Sequence, residues 1–347
     1  MQIRFATPEE VQSWDNLVIN NPDGGNIFQS ASFATIKQQQ KYKWSPKYII
    51  VGELSILALE RKIPLLGNIW YIPKGPGISN ISNLYEVIDS IKEFARVNNI
   101  FLVKLEPELL KLDVDISEIK KNGMDISRGI QAASTIIINI NRPIDEVMAS
   151  FSSKTRYNIR SAAKSELTSE ITVINDESCK KFYEMMAETI NGRSPIRNYD
   201  YYKLFWETHS KAQTGLFIFA KKGDQIISMD FINILGQKAT RKDAASTRDH
   251  SIHRASAWLE LEAIKYLQSK NVKEYDLYGS PPSDRIKDPT HPFYGFGNFK
   301  AGFNEKVTDY IGCIDTPINK LRYTIWKKYG ERIIQKFYRL FYSESFY

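Results

Sequence analysis

Two periodicities of apolar residues take turns along this chain. Short runs with a period of two, or with none, predict strands at Lys47–Val51, Ile56–Arg61, Ile69–Ile72, Ile100–Leu105 and Ser134–Ile140. Between them Val87, Ile91, Phe94 and Ala95 share one face of a helix predicted over Leu84–Asn98. Near the start, Thr7-Pro8-Glu9-Glu10 carries the cap and first-turn proline of a helix, and Phe28–Lys37 reads as a loop entering a second one. The alternation then repeats. Helices are predicted over Phe151–Ser165, Glu177–Asn191, Tyr201–His209 and Ala255–Ser269. Strands are predicted at Ile171–Ile174, Leu216–Lys221, Ile226–Leu235, Ala239–Ala245 and Val272–Leu277. Two such successions predict a duplicated fold of the α/β (α+β) class, with too little identity between the halves to read as a sequence repeat.

Beyond Asn319 the pattern changes. Leu321, Ile325, Tyr329, Ile333, Phe337 and Phe341 recur every four residues and, with Trp326, Ile334 and Leu340 beside them, predict one apolar-aromatic face, while Arg322, Lys327, Lys328, Arg332, Lys336 and Arg339 fall largely off it. The segment reads as a basic amphipathic helix. It suits either an anionic membrane interface or the surface of the first domain.

Composition narrows the class. A chain of 347 residues, 42% hydrophobic and 25% charged, is ample for two globular domains. No apolar run reaches the roughly 20 residues of a membrane span, and the N-terminus has no signal-peptide core, so a cytoplasmic protein is expected. Cys179 and Cys313 form no paired motif, as expected of a reducing compartment. His250 and His253 lie three apart without a third ligand nearby, so no metal is expected. The net charge is +7, and the seven cations and two acids from Lys320 onward account for +5 of it. The basic character therefore belongs mainly to the tail, not to a polyanion-binding surface over the whole fold.

The densest chemistry lies between Lys273 and Gly312. Asp276 and Gly279 end a strand, and a Pro- and Ser-rich loop follows. Then come Phe293-Tyr294-Gly295-Phe296-Gly297-Asn298-Phe299 and a single cation, Lys300. Gly295, Gly297 and Gly302 suggest close backbone approach to a ligand or a positive φ, and Val307–Ile314 reads as a closing strand. The order Asp276, Gly279, His291-Pro292, Tyr294-Gly295, Phe299-Lys300, Gly302-Phe303, Tyr310-Ile311-Gly312 resembles the C-terminal signature of the Fem family, the FemX, FemA and MurM aminoacyltransferases of peptidoglycan cross-bridges. The resemblance runs from about Phe28 to Asp315 and is densest at its end.

That resemblance implies two tandem GNAT-like domains, residues 1–142 and 143–306, with a C-terminal strand within 307–319 returning to the first, followed by the helix 320–347. No sustained heptads are present, which makes this the short type without a coiled-coil arm. It further implies transfer of an amino acid from aminoacyl-tRNA, a co-substrate and not a cofactor, to the stem peptide of a peptidoglycan precursor. The precursor is lipid II or its soluble nucleotide-linked counterpart, and the amphipathic tail favours lipid II. A monomer peripheral to the inner face of the membrane is expected. Acetyl-CoA is a poor donor, because no glycine-rich turn precedes the Ala255 helix; nor is there a P-loop or G-x-G-x-x-G motif.

Site residues follow by position. Lys300 is the candidate for the developing oxyanion or the tRNA end, since aminolysis of an ester gains most from a cation aimed at that charge. Tyr294 and Phe299 would shape the channel, with the terminal adenine stacked there. Glu106, at a strand end in Leu105-Glu106-Pro107-Glu108, would accept a proton or hold the attacking amine. Arg197 and Tyr201, in Ser194-Pro195-Ile196-Arg197-Asn198-Tyr199-Asp200-Tyr201, and Lys37 match positions that contact the precursor diphosphate. Asp243 stands near the expected acceptor pocket, where family members often carry Tyr, and Cys313 stands where they often carry an acid. Both departures leave the identity of donor and acceptor open. Arg156, Arg160 and Lys164, spaced four apart on one helix, suit a tRNA backbone. Two alternatives share these motifs: tRNA-dependent aminoacylation of a small metabolite, and a non-catalytic membrane- or RNA-binding module.

Overall fold

Ile100–Leu105 is a run of apolar and β-branched residues broken by one lysine, and all six residues are buried. Such a run is stable only at the centre of a sheet covered on both faces. In the computed structural model, which describes residues 1–40, 43–192, 196–247, 254–342 and 346–347, this strand is central to the first of two units. The first unit comprises Met1–Ala133 and Asp309–Tyr347, and the second Ser134–Thr308.

The first unit holds a seven-stranded sheet in the order Ile3–Phe5, Ser45–Val51, Leu54–Ile63, Gly67–Ile72, Ile100–Leu105, Cys313–Pro317, Asp125–Ser127. Gly67–Ile72 and Ile100–Leu105 are parallel neighbours, joined by the helix Ile81–Val97. That helix starts on an Asn80 side chain accepting the Asn83 N–H, and it packs Leu84, Val87, Ile88 and Ile91 against Ile56, Trp70 and Val103. The second unit has a six-stranded sheet: Ile137–Asn139, Glu274–Asp276, Lys238–Ser246, Gln225–Leu235, Gly215–Lys222, Thr168–Thr172. Glu274–Asp276 runs parallel to Lys238–Ser246 after the helix Ala255–Ser269, whose Leu259, Ile264 and Leu267 are fully buried.

Several expectations change. Ile137–Asn139 pairs with Glu274–Asp276, so it belongs to the second sheet and the division falls at Ala133, not at 142. Within the expected strand Val307–Ile314, Gly312 has φ +88°, and the pairing strand begins one residue later at Cys313. It lies between Ile100–Leu105 and a strand the periodicity missed, Asp125–Ser127. The expected strand Ile171–Ile174 sits three residues earlier, at Thr168–Thr172, and leaves Val173 exposed. The aromatic-glycine cluster is a helix, Tyr294–Ala301.

The tail is not a separate segment. Its helices Lys320–Ile325 and Glu331–Tyr342, joined by the π turn Trp326–Gly330, bury Tyr323 and Trp326 in the first unit, where Phe346 and Tyr347 are also buried. Tyr347 donates to Glu331 Oε1 at 2.7 Å, and the fully buried Lys104 pairs with Asp315 at 2.6 Å and Glu331 at 3.6 Å. No helix among the described residues is long and apolar enough to cross a membrane. His250 and His253, and most of the turn before the Ala255 helix, lie outside the described residues, as do Ser194 and Pro195.

Candidate active site

Asp276 and Gly279 bend the chain at the end of their strand. The Asp276 carboxylate accepts the Tyr278 N–H at 2.7 Å and the Thr135 hydroxyl, and it holds Tyr278 at φ +49° and Gly279 at φ +79°. A left-handed tyrosine is costly, on the order of 1–2 kcal/mol, and this bend turns two consecutive carbonyls to the same side. Lys300, in the last turn of the helix Tyr294–Ala301, donates to both: Tyr278 O at 2.6 Å and Gly279 O at 2.7 Å. Two glycines let that helix lie close. A Cβ at Gly297 would come 2.3 Å from Pro281 Cδ, and one at Gly302 would come 2.2 Å from Thr155 Oγ1. Their role is packing, whereas a Cβ at Gly295 would meet nothing.

Lys300 is buried, and burial pulls its pKa down to about 7, with the positive charge of Arg241 adding to the effect. Its ammonium has three N–H groups and the two carbonyls take two of them. The third has no hydrogen-bond acceptor among the described residues.

Arg241 belongs to a buried network that the sequence reading missed. Its Nη2 donates to Asp230 Oδ1 at 2.7 Å, and its Nε lies 2.6 Å from Glu260 Oε1 as an ion pair outside hydrogen-bond geometry. Tyr275 donates to Glu260 Oε2 at 2.9 Å. Burial raises Asp230 and pushes Glu260 up to about 7, while burial, opposed more strongly by Asp230 and Glu260, leaves Arg241 raised. The signal was present in the sequence: Asp230 stands alone in the apolar run Ile226–Leu235, and Glu260 falls on the buried face of an apolar helix. A buried carboxylate requires a cation. The Arg241 guanidinium also lies 5.6 Å from the centre of the Phe299 ring, which packs edge-on against Phe303 at 5.2 Å. Phe299 thus packs between Arg241 and Phe303 and is half-buried. Tyr294 is half-buried, and the exposed rings of this helix are Phe293 and Phe296.

Next along the same strand, Lys242 lies 5.1 Å from the Tyr278 ring and 3.6 Å from Asp243. Asp243 is buried and accepts the Trp206 indole N–H at 2.9 Å. Tyr201 stacks on Phe205, and the Arg197 guanidinium sits 4.2 Å over the Tyr201 ring. Arg197, Tyr201, Asp243 and Lys300 are thus linked through Phe205, Lys242 and Tyr278 on one side of the second unit. A groove of about 630 Å³ lined by Val173, Lys180, Glu184 and Lys221 contains none of them.

Glu106 and Lys37 lie in the first unit. Glu106 is buried and accepts three hydrogen bonds: from Tyr71 Oη at 2.5 Å, Ile130 N at 2.6 Å and Gln131 N at 3.0 Å. Burial and the facing Glu106 raise the Tyr71 phenol well above its ordinary range. A carboxylate holding three donors is suited to fixing the 130–131 loop. Lys37 is buried in the last turn of the helix Ala31–Gln39, its Nζ 5.4 Å from the Phe33 ring. Trp44 connects the two: its N–H donates to Lys37 O at 2.9 Å, and its ring lies 6.2 Å from that of Tyr71.

The three spaced cations divide. Arg156 folds back to donate to Ala149 O at 3.0 Å and to Phe151 O, closing the end of the preceding helix. Arg160 and Lys164 are exposed. The helix ends at Ala162, so Lys164 lies just past it. Among the described residues no group of three or more His, Cys, Asp or Glu could hold a metal ion.

Two α/β units follow one another along the chain, and the second carries a buried lysine at a strand end. Residues 7–222 and 217–329 match the FemAB family, and the chain belongs to that family. Over 199 residues it is 29% identical to the lipid II:glycine glycyltransferase of Staphylococcus aureus (strain MRSA252), an alignment of 51% of this chain and 45% of that enzyme. The chain thus spans under half the length of that relative. The crystal structure of FemX superposes with a TM-score of 0.79 at 19% identity, covering 95% of this chain and all of FemX. A conserved protein of unknown function from Bacteroides thetaiotaomicron VPI-5482 gives a TM-score of 0.61 at 9% identity, over 91% of this chain and 99% of that one. Both structures share the fold.

Proposed function

We propose that this chain is an aminoacyltransferase that moves an amino acid from aminoacyl-tRNA to a stem-peptide amine of a peptidoglycan precursor, with lipid II as the preferred acceptor. The observation that carries the reading is the Lys300 ammonium, buried and aimed by two carbonyls within the sequence signature of the family. The name of the glycyltransferase relative supports the acceptor class. In the reaction the stem amine attacks the ester carbonyl and a C–N bond forms. The third Lys300 N–H meets the oxyanion, and the ester C–O bond then breaks. The proton lost by the amine ends on the departing ribose hydroxyl. No covalent enzyme intermediate is needed, and no cofactor takes part beyond the tRNA co-substrate. Glu106 acts as a positioning residue, through Tyr71 and the 130–131 loop. Arg160 and Lys164 are left to meet the tRNA backbone, and the working unit is a monomer on the cytoplasmic side.

The direct test is transfer of radiolabelled amino acid from a charged tRNA pool to purified lipid II by the full chain. Incorporation into the lipid is expected. Incorporation into neither lipid II nor the nucleotide-linked precursor would overturn the reading, and a deletion strain with an unchanged wall that lacks a small aminoacylated metabolite would redirect it.

Lys37 and Arg197 are assigned to the precursor diphosphate. Lys37→Ala and Arg197→Ala should each raise the KM for the precursor about 10–150-fold, the loss of one charge-assisted contact of about 1.5–3 kcal/mol. The KM for charged tRNA should move much less. If both variants weakened only the tRNA side, the assignment would be wrong.

A further inference from the structure

The amphipathic tail presents two apolar faces, and only one is buried. Residues recurring every four positions drift by about 40° per step around an ideal helix. The wider π turn Trp326–Gly330 winds less per residue and takes up part of this drift. As a result Leu321, Ile325, Tyr329, Ile333, Phe337 and Leu340 stay on one outward line, between 44% and 73% exposed. The inward face is a different set: Tyr323 and Trp326 are buried, and Glu331 turns in toward Lys104 and Tyr347. Single exposed apolar residues are ordinary, but six in line form a contiguous apolar patch of the kind that marks an interaction surface.

The charge beside the patch selects that partner. Lys328, Arg332, Lys336 and Arg339 are all exposed and lie along one edge of the apolar line. Between Lys320 and Tyr342 the only acid is Glu331, spent inward, and Lys327 is already paired with Asp125 at 2.8 Å. The outward charge is therefore wholly positive. A second copy packing its helix antiparallel on this face about a two-fold axis would bring the basic edges together. We infer that the outward face of residues 321–341 docks this chain on an anionic lipid bilayer, the apolar line entering the acyl boundary and the basic edge resting on the headgroups. This deepens the preference for lipid II, yet vesicle binding needs no substrate, so it stands or falls apart from the transfer reading.

The test is co-sedimentation of the full chain with sucrose-loaded vesicles. One set is of phosphatidylcholine alone and the other contains about 30% phosphatidylglycerol, an anionic fraction that gives each nearby basic residue a sizeable attraction. Removing the tail would remove Trp326 and Tyr347 from the core, so surface substitutions are used. Binding is expected on the anionic vesicles only and should weaken with salt. It should fall about tenfold or more in Ile333→Ser/Phe337→Ser and, separately, in Arg332→Glu/Lys336→Glu, both with wild-type thermal unfolding. Wild-type binding that is absent, indifferent to lipid charge, or unchanged in both variants would overturn the inference. Concentration-dependent self-association abolished by Ile333→Ser/Phe337→Ser would overturn it in favour of a second copy.

Discussion

Lys300→Met is expected to lower kcat for transfer by about 10²–10³-fold, the usual cost of losing one preorganised oxyanion donor, while leaving the KM values close to wild type. Methionine keeps the length and apolar body of the side chain but removes all three donors. The Tyr278 and Gly279 carbonyls would lose their partner, at a stability cost of about 1–3 kcal/mol, so the comparison is made well below the unfolding transition. The pH profile separates a catalytic cation from a structural one. With its pKa near 7, Lys300 loses its charge as pH rises through neutrality, so a reaction that needs the ammonium has an alkaline limb there. That limb should vanish in Lys300→Met, whose residual rate should follow only the ionisation of the attacking amine. The same depressed pKa has a consequence for stability. Between about 7 and the ordinary lysine value of 10.5 the unfolded chain holds a proton that the folded chain does not, so this group makes stability rise with pH across that window. Wild-type kcat in Lys300→Met at saturating charged tRNA would remove Lys300 from the chemistry.

The strands of both sheets were legible where burial fixes a continuous apolar run, as at Ile100–Leu105, and so were helices with a clear stripe, such as Ile81–Val97. Weakly apolar segments were not. Asp125–Ser127 is three polar-leaning residues that become a strand because Cys313–Pro317 arrives beside them from far along the chain. Lys300 could be picked out from its motif, but the reason for its placement could not. The two carbonyls depend on a left-handed tyrosine, and no residue type announces that conformation at Tyr278. Residues assigned from isolated positions proved the least legible. Arg156 looked like one of three phosphate contacts, yet its guanidinium closes a neighbouring helix, an outcome that depends on where Ala149 and Phe151 direct their carbonyls. The tail gives the opposite lesson. Its residues recurring every four positions are all exposed, but Trp326, expected on the same face, turns inward with Tyr323 and is buried.

Arg241→Met should lower the unfolding free energy by about 3–5 kcal/mol, the cost of leaving buried carboxylates without their cation. Asp230 and Glu260 are both inaccessible to solvent, and the guanidinium is the cation each of them faces at close range. For a unit of this size the loss corresponds to a fall in Tm on the order of 10 °C. The effect should depend on pH in a defined direction. Burial has already pushed Glu260 up to about 7, so between the ordinary glutamate value of 4.5 and 7 the folded chain holds a proton that the unfolded chain has lost. Stability from this group is full below that window and falls as pH rises through it. Removing Arg241 takes away a charge that holds both carboxyls down, so the deficit of the variant should be larger at pH 8 than at pH 6. Adding Glu260→Gln should recover part of it, because one of the two stranded charges is then gone. The substitution also reaches the chemistry: Arg241 is, after burial, the largest influence depressing Lys300, so any alkaline limb in transfer should move to higher pH in the variant. Calorimetry of the full chain at pH 6 and pH 8 checks the first claim and transfer rates check the second. An unfolding temperature equal to wild type at both pH values would mean that the Asp230–Arg241–Glu260 network does not hold the second unit together.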